Sequence, residues 1–225
     1  MPVKRLLIGD VPVVAWSLQE ALRPLLPIPV QALGAQLALP PEATDAFLLI
    51  EILLPRGGCG LTEAIRFSQG VRGAAAVMGV DPLPLYAWVA WELHLAGCLD
   101  KGGAWEAFVA EVQALVAGRS AWPAAILGKV EGFEEEVGWR LRQLKPRDWA
   151  RWKDLIEGRA LKALALDWGV STRGAGKAIE GLCGRLGVRD AGEARALALE
   201  VGLIHRHSGG YEWASALALW RQTQP

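Results

Sequence analysis

Long hydrophobic runs and closely spaced cysteines are both missing from this 225-residue sequence. No stretch of eighteen or more uninterrupted apolar residues occurs, and the amino end lacks the basic region followed by a long apolar region of a signal peptide, so neither a spanning helix nor a signal peptide is predicted. The three cysteines, Cys59, Cys98 and Cys183, are far apart and form no CxxC pair. Reduced thiols are expected, and we expect a soluble, cytoplasmic protein that does not contact a membrane.

An excess of charge of either sign is also missing, because 24 basic and 24 acidic side chains balance each other. A net charge of zero gives no support by itself to a nucleic-acid partner. The distribution is uneven: residues 1–118 hold 7 basic and 11 acidic side chains, a balance of −4, whereas residues 144–207 hold 12 and 8, a balance of +4. This split favours different roles for the two ends of the chain, the alternative being an ordinary scatter of surface charge.

Apolar runs of strand length alternate with helical patterns over the first 118 residues. Strands are predicted at Val3–Ile8, Pro29–Leu33, Ala46–Leu54, Ala74–Met78 and Cys98–Lys101. Helical spacing covers Ala15–Leu26, Leu61–Phe67, Leu83–Ala96 and Trp105–Ala117. The third strand is almost entirely apolar, which suits a parallel strand buried on both faces. The alternation predicts a doubly wound parallel sheet, which binds ligands at the carboxyl ends of its strands.

Residues at three of these strand ends carry a resemblance to a known family. Asp10 follows the first strand, Glu51 lies on the third with Pro55 four residues later, and Lys101 follows the fifth. Residues 3–118 therefore resemble the receiver domain of response regulators, and residues 1–118 are assigned to it. The resemblance implies a phosphoryl group accepted by a strand-three aspartate. It also implies Mg²⁺ held by acidic residues after strand one, a Thr or Ser after strand four and a Lys after strand five.

The sequence departs from this receiver pattern in its acidic and hydroxyl positions. The first acidic position is Gly9, the acceptor position is Glu51 and the hydroxyl position is Gly79. Loss of a carboxylate weakens a Mg²⁺ site built from oxygen ligands, so at most weak binding at Asp10 and Glu51 is expected. We predict a pseudo-receiver that is not phosphorylated, in which Glu51 pairs with Lys101. The alternative is that Glu51 is a solvated strand end with no role in switching.

The predicted helix Leu83–Ala96 is unusually apolar for a helix that covers a sheet. The receivers that this domain resembles often dimerise through the corresponding helix, and exposed apolar patches rarely lack a partner. We therefore expect Tyr86, Trp88 and Trp91 to contribute to a homodimer face. Packing into the core of the same chain is the alternative for these side chains.

Residues 119–143 are predicted to form an ordered helical linker. Tryptophan and leucine recur at helical spacing among charged residues there, which is unlike a flexible Gly/Ser tether. The acidic trio Glu134–Glu136 is interpreted as a solvated face, with docking on a basic surface as the alternative.

Residues 144–225 are predicted to form a second, helical domain. Helices are expected from Leu144 to Gly158, from Ala160 to Trp168, from Ser171 or Thr172 to just before Gly187, and from Ala191 to Gly202. Short matches make this stretch similar to the LuxR/NarL four-helix DNA-binding domain: Leu144-x-Pro-Arg, Leu155-x-Glu-Gly, Gly169-Val-Ser and Leu186-Gly-Val. The resemblance implies a helix-turn-helix whose second helix lies in the major groove of DNA.

The predicted recognition helix carries few long polar side chains. Where family members commonly have Thr-Val-Lys-Val-His, this sequence reads Gly174-Ala-Gly-Lys-Ala178. Two glycines inside a helix cost roughly 1–2 kcal/mol relative to alanine, so either the backbone approaches a partner closely or selection for reading DNA has relaxed. Glu180 would repel phosphates, and weak or low-specificity binding is expected. The candidate DNA contacts are Lys162, Thr172, Arg173, Lys177 and Arg185.

The tail from Tyr211 to Arg221 extends past the usual end of such a domain. Trp213, Leu217 and Trp220 are predicted to share one face of a helix. This face is expected to pack on its own domain, with a second subunit as the alternative.

These patterns together predict a transcriptional regulator of the response-regulator type that is not an enzyme and uses no cofactor. The expected fold is α/β plus all-α, with a doubly wound (βα)5 flavodoxin-like domain followed by a four-helix helix-turn-helix domain. The expected partners are double-stranded DNA and a second copy of the chain in a homodimer, with a partner regulator or a histidine kinase as candidate protein partners. The alternative function is a regulator that binds another protein and has little or no specific affinity for DNA.

Overall fold

A five-stranded sheet forms the first part of the computed structural model, which describes residues 3–33, 45–54, 59–70, 74–207, 210–214, 217 and 220–222. Its strands are β1 (Arg5–Gly9), β2 (Val30–Ala32), β3 (Ala46–Glu51), β4 (Ala74–Gly79) and β5 (Gly97–Asp100). All neighbours pair in parallel, in the order β2-β1-β3-β4-β5. The predicted doubly wound sheet is confirmed, and its strand order reverses between β1 and β3, where such sheets bind ligands.

Helices cover both faces of this sheet. They are α1 (Pro12–Leu22), α2 (Gly60–Gly70), α3 (Pro84–Glu92) and α4 (Trp105–Val116). Alternate strand residues point to opposite faces, so Leu6 and Ile8 pack with the side of α1 and α4, whereas Leu7 packs with the side of α2 and α3. Residues 34–44, between β2 and β3, lie outside the described residues, so the described part of the (βα)5 pattern contains four helices.

The predicted linker is a continuous helix of mixed type. It runs through α5 (Ala124–Phe133), a π-helical turn (Glu134–Gly138) and α6 (Trp139–Gln143). Its ordered, helical character is confirmed. A Cβ at Gly138 would lie 2.9 Å from Nε1 of Trp88, so glycine there allows the indole to pack against the backbone of the turn. The helix therefore lies on α3 of the first domain.

Four helices follow at the positions predicted from the sequence. They are α7 (Pro146–Ile156), α8 (Leu161–Asp167), α9 (Thr172–Leu186) and α10 (Ala191–Glu200). The turn between α8 and α9 contains Gly169 with a φ of +64°, and α9 ends at Gly187 with a φ of +69°. Both are left-handed conformations that glycine adopts without strain. The helix-turn-helix is therefore built from α8 and α9.

The helical prediction for the tail is wrong in its first part. An antiparallel hairpin forms from β6 (Ile204–His207) and β7 (Gly210–Trp213), so Trp213 lies on a strand. Leu217 and Trp220 have helical backbone and are buried within the same chain.

One hydrophobic core joins the two domains. It contains Trp88 of α3, Phe133 of α5, Trp152 of α7 and Trp220 of the tail. The ring of Trp88 lies 4.8 Å from that of Trp220 and 5.3 Å from that of Phe133, measured between centroids. Burial of side chains this large is a major source of stability. The tail thus packs on the first domain as well as on its own. Among the described helices, none is long and apolar enough to cross a membrane.

Candidate functional site

The pocket that the sequence predicts at Asp10, Glu51 and Lys101 lies at the carboxyl edge of the sheet. Asp10 follows β1, Glu51 is the last residue of β3, and Lys101 follows β5, so the parallel strands bring all three side chains to one place. The Nζ atom of Lys101 lies 2.6 Å from Oδ2 of Asp10 and forms an ion pair with Oε2 of Glu51. Asp10 is only 2% exposed and Glu51 is buried. The predicted pairing of Glu51 with Lys101 is present.

Backbone groups hold the two carboxylates in this arrangement. Oδ1 of Asp10 accepts a hydrogen bond of 2.6 Å from the amide of Val11. Oε1 of Glu51 accepts one of 3.3 Å from the amide of Leu53. A Cβ at Gly79 would lie 3.3 Å from the same Oε1. The longer side chain of Glu51 therefore reaches the space that a residue with a hydroxyl at position 79 would occupy.

The charge on Lys101 is stabilised by this pocket. Burial alone would lower its pKa, but hydrogen bonds from the ammonium to Asp10 and to Glu51, together with their negative charges, outweigh burial and raise the pKa above the ordinary 10.5. The lysine therefore stays protonated at neutral pH. Its ammonium neutralises one of the two buried negative charges.

A divalent cation fits these residues poorly. Mg²⁺ requires near-octahedral oxygen ligands. Gly9 has no side-chain oxygen, and the carboxylates of Asp10 and Glu51 both contact the ammonium of Lys101. Within the described ranges, no group of three or more His, Cys, Asp or Glu side chains has the arrangement of a metal site.

The second candidate surface is the outer face of α9. Ser171 caps this helix, because its Oγ accepts a hydrogen bond of 3.1 Å from the amide of Gly174. Buried Ala175, Leu182 and Leu186 attach the inner face to the rest of the domain. The outer face is exposed.

All five predicted DNA contacts are exposed, and one of them, Arg185, also has a partner within the chain. Thr172, Arg173 and Lys177 lie on the exposed side of α9, and Lys162 is exposed on α8. Arg185 instead forms an ion pair of 2.6 Å with Asp148 of α7, which is buried. This pair was not predicted, and it attaches α9 to α7. We therefore regard Arg185 first as a structural residue.

Two of the glycines on α9 are not explained by packing within the chain, whereas a Cβ at Gly174 would lie 3.3 Å from Oγ of Ser171. A Cβ added to Gly176 or Gly184 would meet nothing within 4 Å, among the residues that the structure describes. Glu180 is exposed on the same helix. The small residues therefore leave open space next to the basic side chains, which a partner can approach closely.

The predicted dimer face is largely occupied by the chain itself. Tyr86 and Trp88 are each 1% exposed, so the prediction that they face a second copy is corrected. Phe133 of the linker and Trp220 of the tail pack on Trp88, and a Cβ at Gly202 would lie 3.4 Å from the Tyr86 ring. Trp91 is 44% exposed and packs edge-on against Trp122. The apolar character of this helix reflects burial inside one chain, the alternative considered above.

A set of contacts around Trp88, here called the Trp88 clamp, was missed. Its indole Nε1 donates a hydrogen bond of 2.7 Å to Oε2 of Glu134, and the guanidinium of Arg142 lies 5.5 Å from its ring. Arg142 also pairs with Glu134 and Glu92 at 2.6 and 3.0 Å. The interpretation of Glu134 as part of a solvated face is therefore wrong. Glu134 is the first residue of the π-helical turn, and its side chain contacts Trp88.

Comparison with known proteins places this fold among solved response regulators. No protein-family model and no curated protein matches the chain. Solved structures do match: the chain has the α/β-plus-helical fold of two-domain response regulators of the RcsB kind. RcsB from Salmonella typhimurium has 17% identity and a TM-score of 0.62, covering 87% of this chain and 99% of that one. RcsB from Salmonella enterica serovar Typhimurium, bound to a promoter in the presence of phosphomimetic BeF3⁻, has 16% identity and a TM-score of 0.60, covering 89% and 100%.

Proposed function

We propose that this chain is a DNA-binding transcriptional regulator of the response-regulator type that works without phosphorylation. The observation that carries the proposal is the exposed cluster Lys162, Thr172, Arg173 and Lys177 on a helix-turn-helix. Lysine, arginine and threonine are side chains that contact phosphates and base edges. The net charge of +4 in residues 144–207 supports an anionic partner. The similarity of the fold to RcsB, solved in complex with DNA, points the same way.

Independence from phosphorylation is supported by the chemistry of the acceptor pocket. Glu51 places a carboxylate where a receiver has aspartate, and Lys101 already forms an ion pair with it. The pocket holds this charge pair without a phosphoryl group, so no input is needed to create it. Under this proposal the chain is not an enzyme, and a homodimer is the DNA-binding form, as in RcsB dimers bound to DNA.

A second candidate function is regulation by binding another protein. It is favoured by exposed Glu180, which repels DNA phosphates, and by the open space beside Gly176 and Gly184. A partner regulator or a histidine kinase is the kind of protein that would fit this role.

Salt-dependent binding to duplex DNA tests the proposal. The full chain is expected to bind at low salt, and Arg173→Ala and Lys177→Ala are each expected to weaken binding and to lower the salt slope by about 0.9. Arg23→Ala removes an exposed charge from the other domain and should bind as the unmodified chain does. No binding even at low salt would favour the protein-interaction role. Incubation with Mg²⁺ and acetyl phosphate tests the pocket, and stoichiometric uptake at residue 51 would refute independence from phosphorylation.

A further inference from the structure

A small cavity lies where the linker helix, the start of α7 and the tail meet. Its volume is about 200 Å³. A water molecule in the liquid takes roughly 30 Å³ and pockets for drug-sized ligands are roughly 300–1,000 Å³, so only a small molecule fits. Most of the lining residues are apolar or aromatic, and two guanidinium groups contribute to the polar surface of the cavity. These lining residues include Leu141, Leu144, Trp149, Trp220, Arg142 and Arg221.

The two guanidinium groups differ in how their charge is balanced. Arg142 pairs with Glu92 and Glu134, and the hydrogen bond with Glu92 is the largest of the contributions that raise its pKa. Arg221 lies with its guanidinium 4.9 Å from the centre of the Trp149 ring. Burial lowers the pKa of Arg221. Among the side chains that the structure describes, no carboxylate forms an ion pair with it.

The surroundings of Arg221 suit a negatively charged group. A cation–π contact with Trp149 satisfies none of the five N–H donors of a guanidinium. Arg221 is partly buried and no described carboxylate pairs with it, and a ligand carboxylate can accept two of its N–H donors side by side. Arg142, Arg221, Glu92 and Glu134 carry no net charge together, so a group with a single negative charge fits better than a dianion. The aromatic walls favour an apolar body on the same molecule.

We propose that this cavity binds a small organic carboxylate, with Arg221 pairing with the carboxylate and Trp149 and Trp220 contacting its apolar part. The site joins the tail to the linker and to α7, so a bound carboxylate stabilises the contact between the two domains. Inorganic phosphate shares the oxyanion chemistry and lacks the apolar body. Comparison of the two anions therefore distinguishes binding through charge alone from binding that also uses the apolar side chains of the site.

Thermal unfolding of the full chain with benzoate or with inorganic phosphate tests this site, at an ionic strength held constant with chloride. Ligand that binds only the folded chain raises the Tm, by roughly 5–10 °C at a hundredfold excess over Kd for a chain of this size. Benzoate is expected to give such a saturable rise and phosphate a smaller one. No saturable rise with benzoate, or a larger one with phosphate, would overturn the proposal.

Two variants and a matched control assign the effect to Arg221. Arg221→Gln should abolish the rise, whereas Arg119→Gln, which removes an exposed charge elsewhere, should retain it. Arg221→Lys keeps the charge but loses the planar fork, and it should bind at least tenfold more weakly. An unchanged rise in both Arg221 variants would contradict the assignment. Intrinsic fluorescence, to which Trp149 and Trp220 contribute among the eleven tryptophans, gives a second titration, and its ligand-dependent change should be lost in Arg221→Gln. No DNA is involved, so the result is separate from the test of DNA binding.

Discussion

Lys101 forms an ion pair with Glu51 across the carboxyl edge of the sheet, and the same ammonium lies 2.6 Å from Asp10. Three strands that are far apart in sequence deliver these groups to one pocket. The pair stands where the resemblance to receivers implies a phosphoryl group on aspartate. Both carboxylates are therefore paired with the lysine within the chain.

Removal of this lysine should destabilise the fold strongly. Lys101→Met leaves two buried carboxylates without their cation, which is expected to cost about 3–5 kcal/mol in the free energy of unfolding. Lys4→Met breaks the exposed pair with Asp45 and should cost at most about 1 kcal/mol. Urea denaturation at pH 7 measures both. Equal effects of the two substitutions would show that the buried pocket adds nothing beyond a surface pair.

The ion pairs of Lys101 make the stability of the fold depend on pH in the alkaline range. Since the pKa of Lys101 is raised in the folded chain, its contribution is complete below the unfolded value of 10.5 and is lost as pH rises through the folded pKa. Urea denaturation at successive pH values above 10.5 should therefore show a steeper loss of stability in the unmodified chain than in Lys101→Met. Parallel curves for the two proteins would contradict the raised pKa.

The contact between Trp88 and Trp220 should make the two domains unfold together. Trp220→Ala removes a side chain that is 1% exposed and contacts Trp88, so a loss of about 3–5 kcal/mol and separation of the two domains' unfolding are expected. Trp16→Ala, at a position 60% exposed, should change stability by no more than about 0.5 kcal/mol. Calorimetry of the full chain distinguishes one transition from two. A single transition with unchanged Tm in Trp220→Ala would exclude this coupling.

Alanine substitutions at two glycines of the linker are expected to change stability in opposite directions. A Cβ at Gly138 would lie 2.6 Å from Oε2 of Glu134, so Gly138→Ala should lose about 1–3 kcal/mol. A Cβ at Gly128 meets nothing within 4 Å among the described residues, and Gly128→Ala should gain about 0.5–1 kcal/mol from helix propensity. Chemical denaturation of the two variants checks the signs. Stabilisation by both would mean that the Trp88 clamp adjusts freely.

Glycines on α9 are expected to matter for binding and not for folding. Gly176→Ala and Gly184→Ala each add a Cβ in open space and should stabilise by about 0.5–1 kcal/mol. If DNA approaches the backbone beside Lys177, Gly176→Ala should weaken DNA binding, whereas Gly184→Ala near the far end of α9 should not. Melting curves and DNA titrations on the same preparations compare the two properties. Unchanged affinity in Gly176→Ala would show that no partner comes close there.

Local and periodic signals predicted most of the fold, and long-range packing accounts for what they missed. The pairing of Glu51 with Lys101 follows from apolar strands whose carboxyl ends meet at one edge. The hydrogen bond from Trp88 to Glu134 joins residues 46 positions apart, and no local pattern marks it. An apolar helix looks the same in sequence whether a second copy or its own chain covers it, so Tyr86 and Trp88 were assigned to a dimer face. The hairpin that contains Trp213 is too short for periodicity to distinguish from a helix.

Titration of the full chain with duplex DNA at several salt concentrations, with and without beryllofluoride and Mg²⁺, tests the central claim most directly. A phosphorylation-independent DNA-binding regulator predicts salt-dependent binding that Lys177→Ala weakens and that beryllofluoride leaves unchanged. Absence of binding at the lowest salt, or binding that appears only with beryllofluoride, would contradict it.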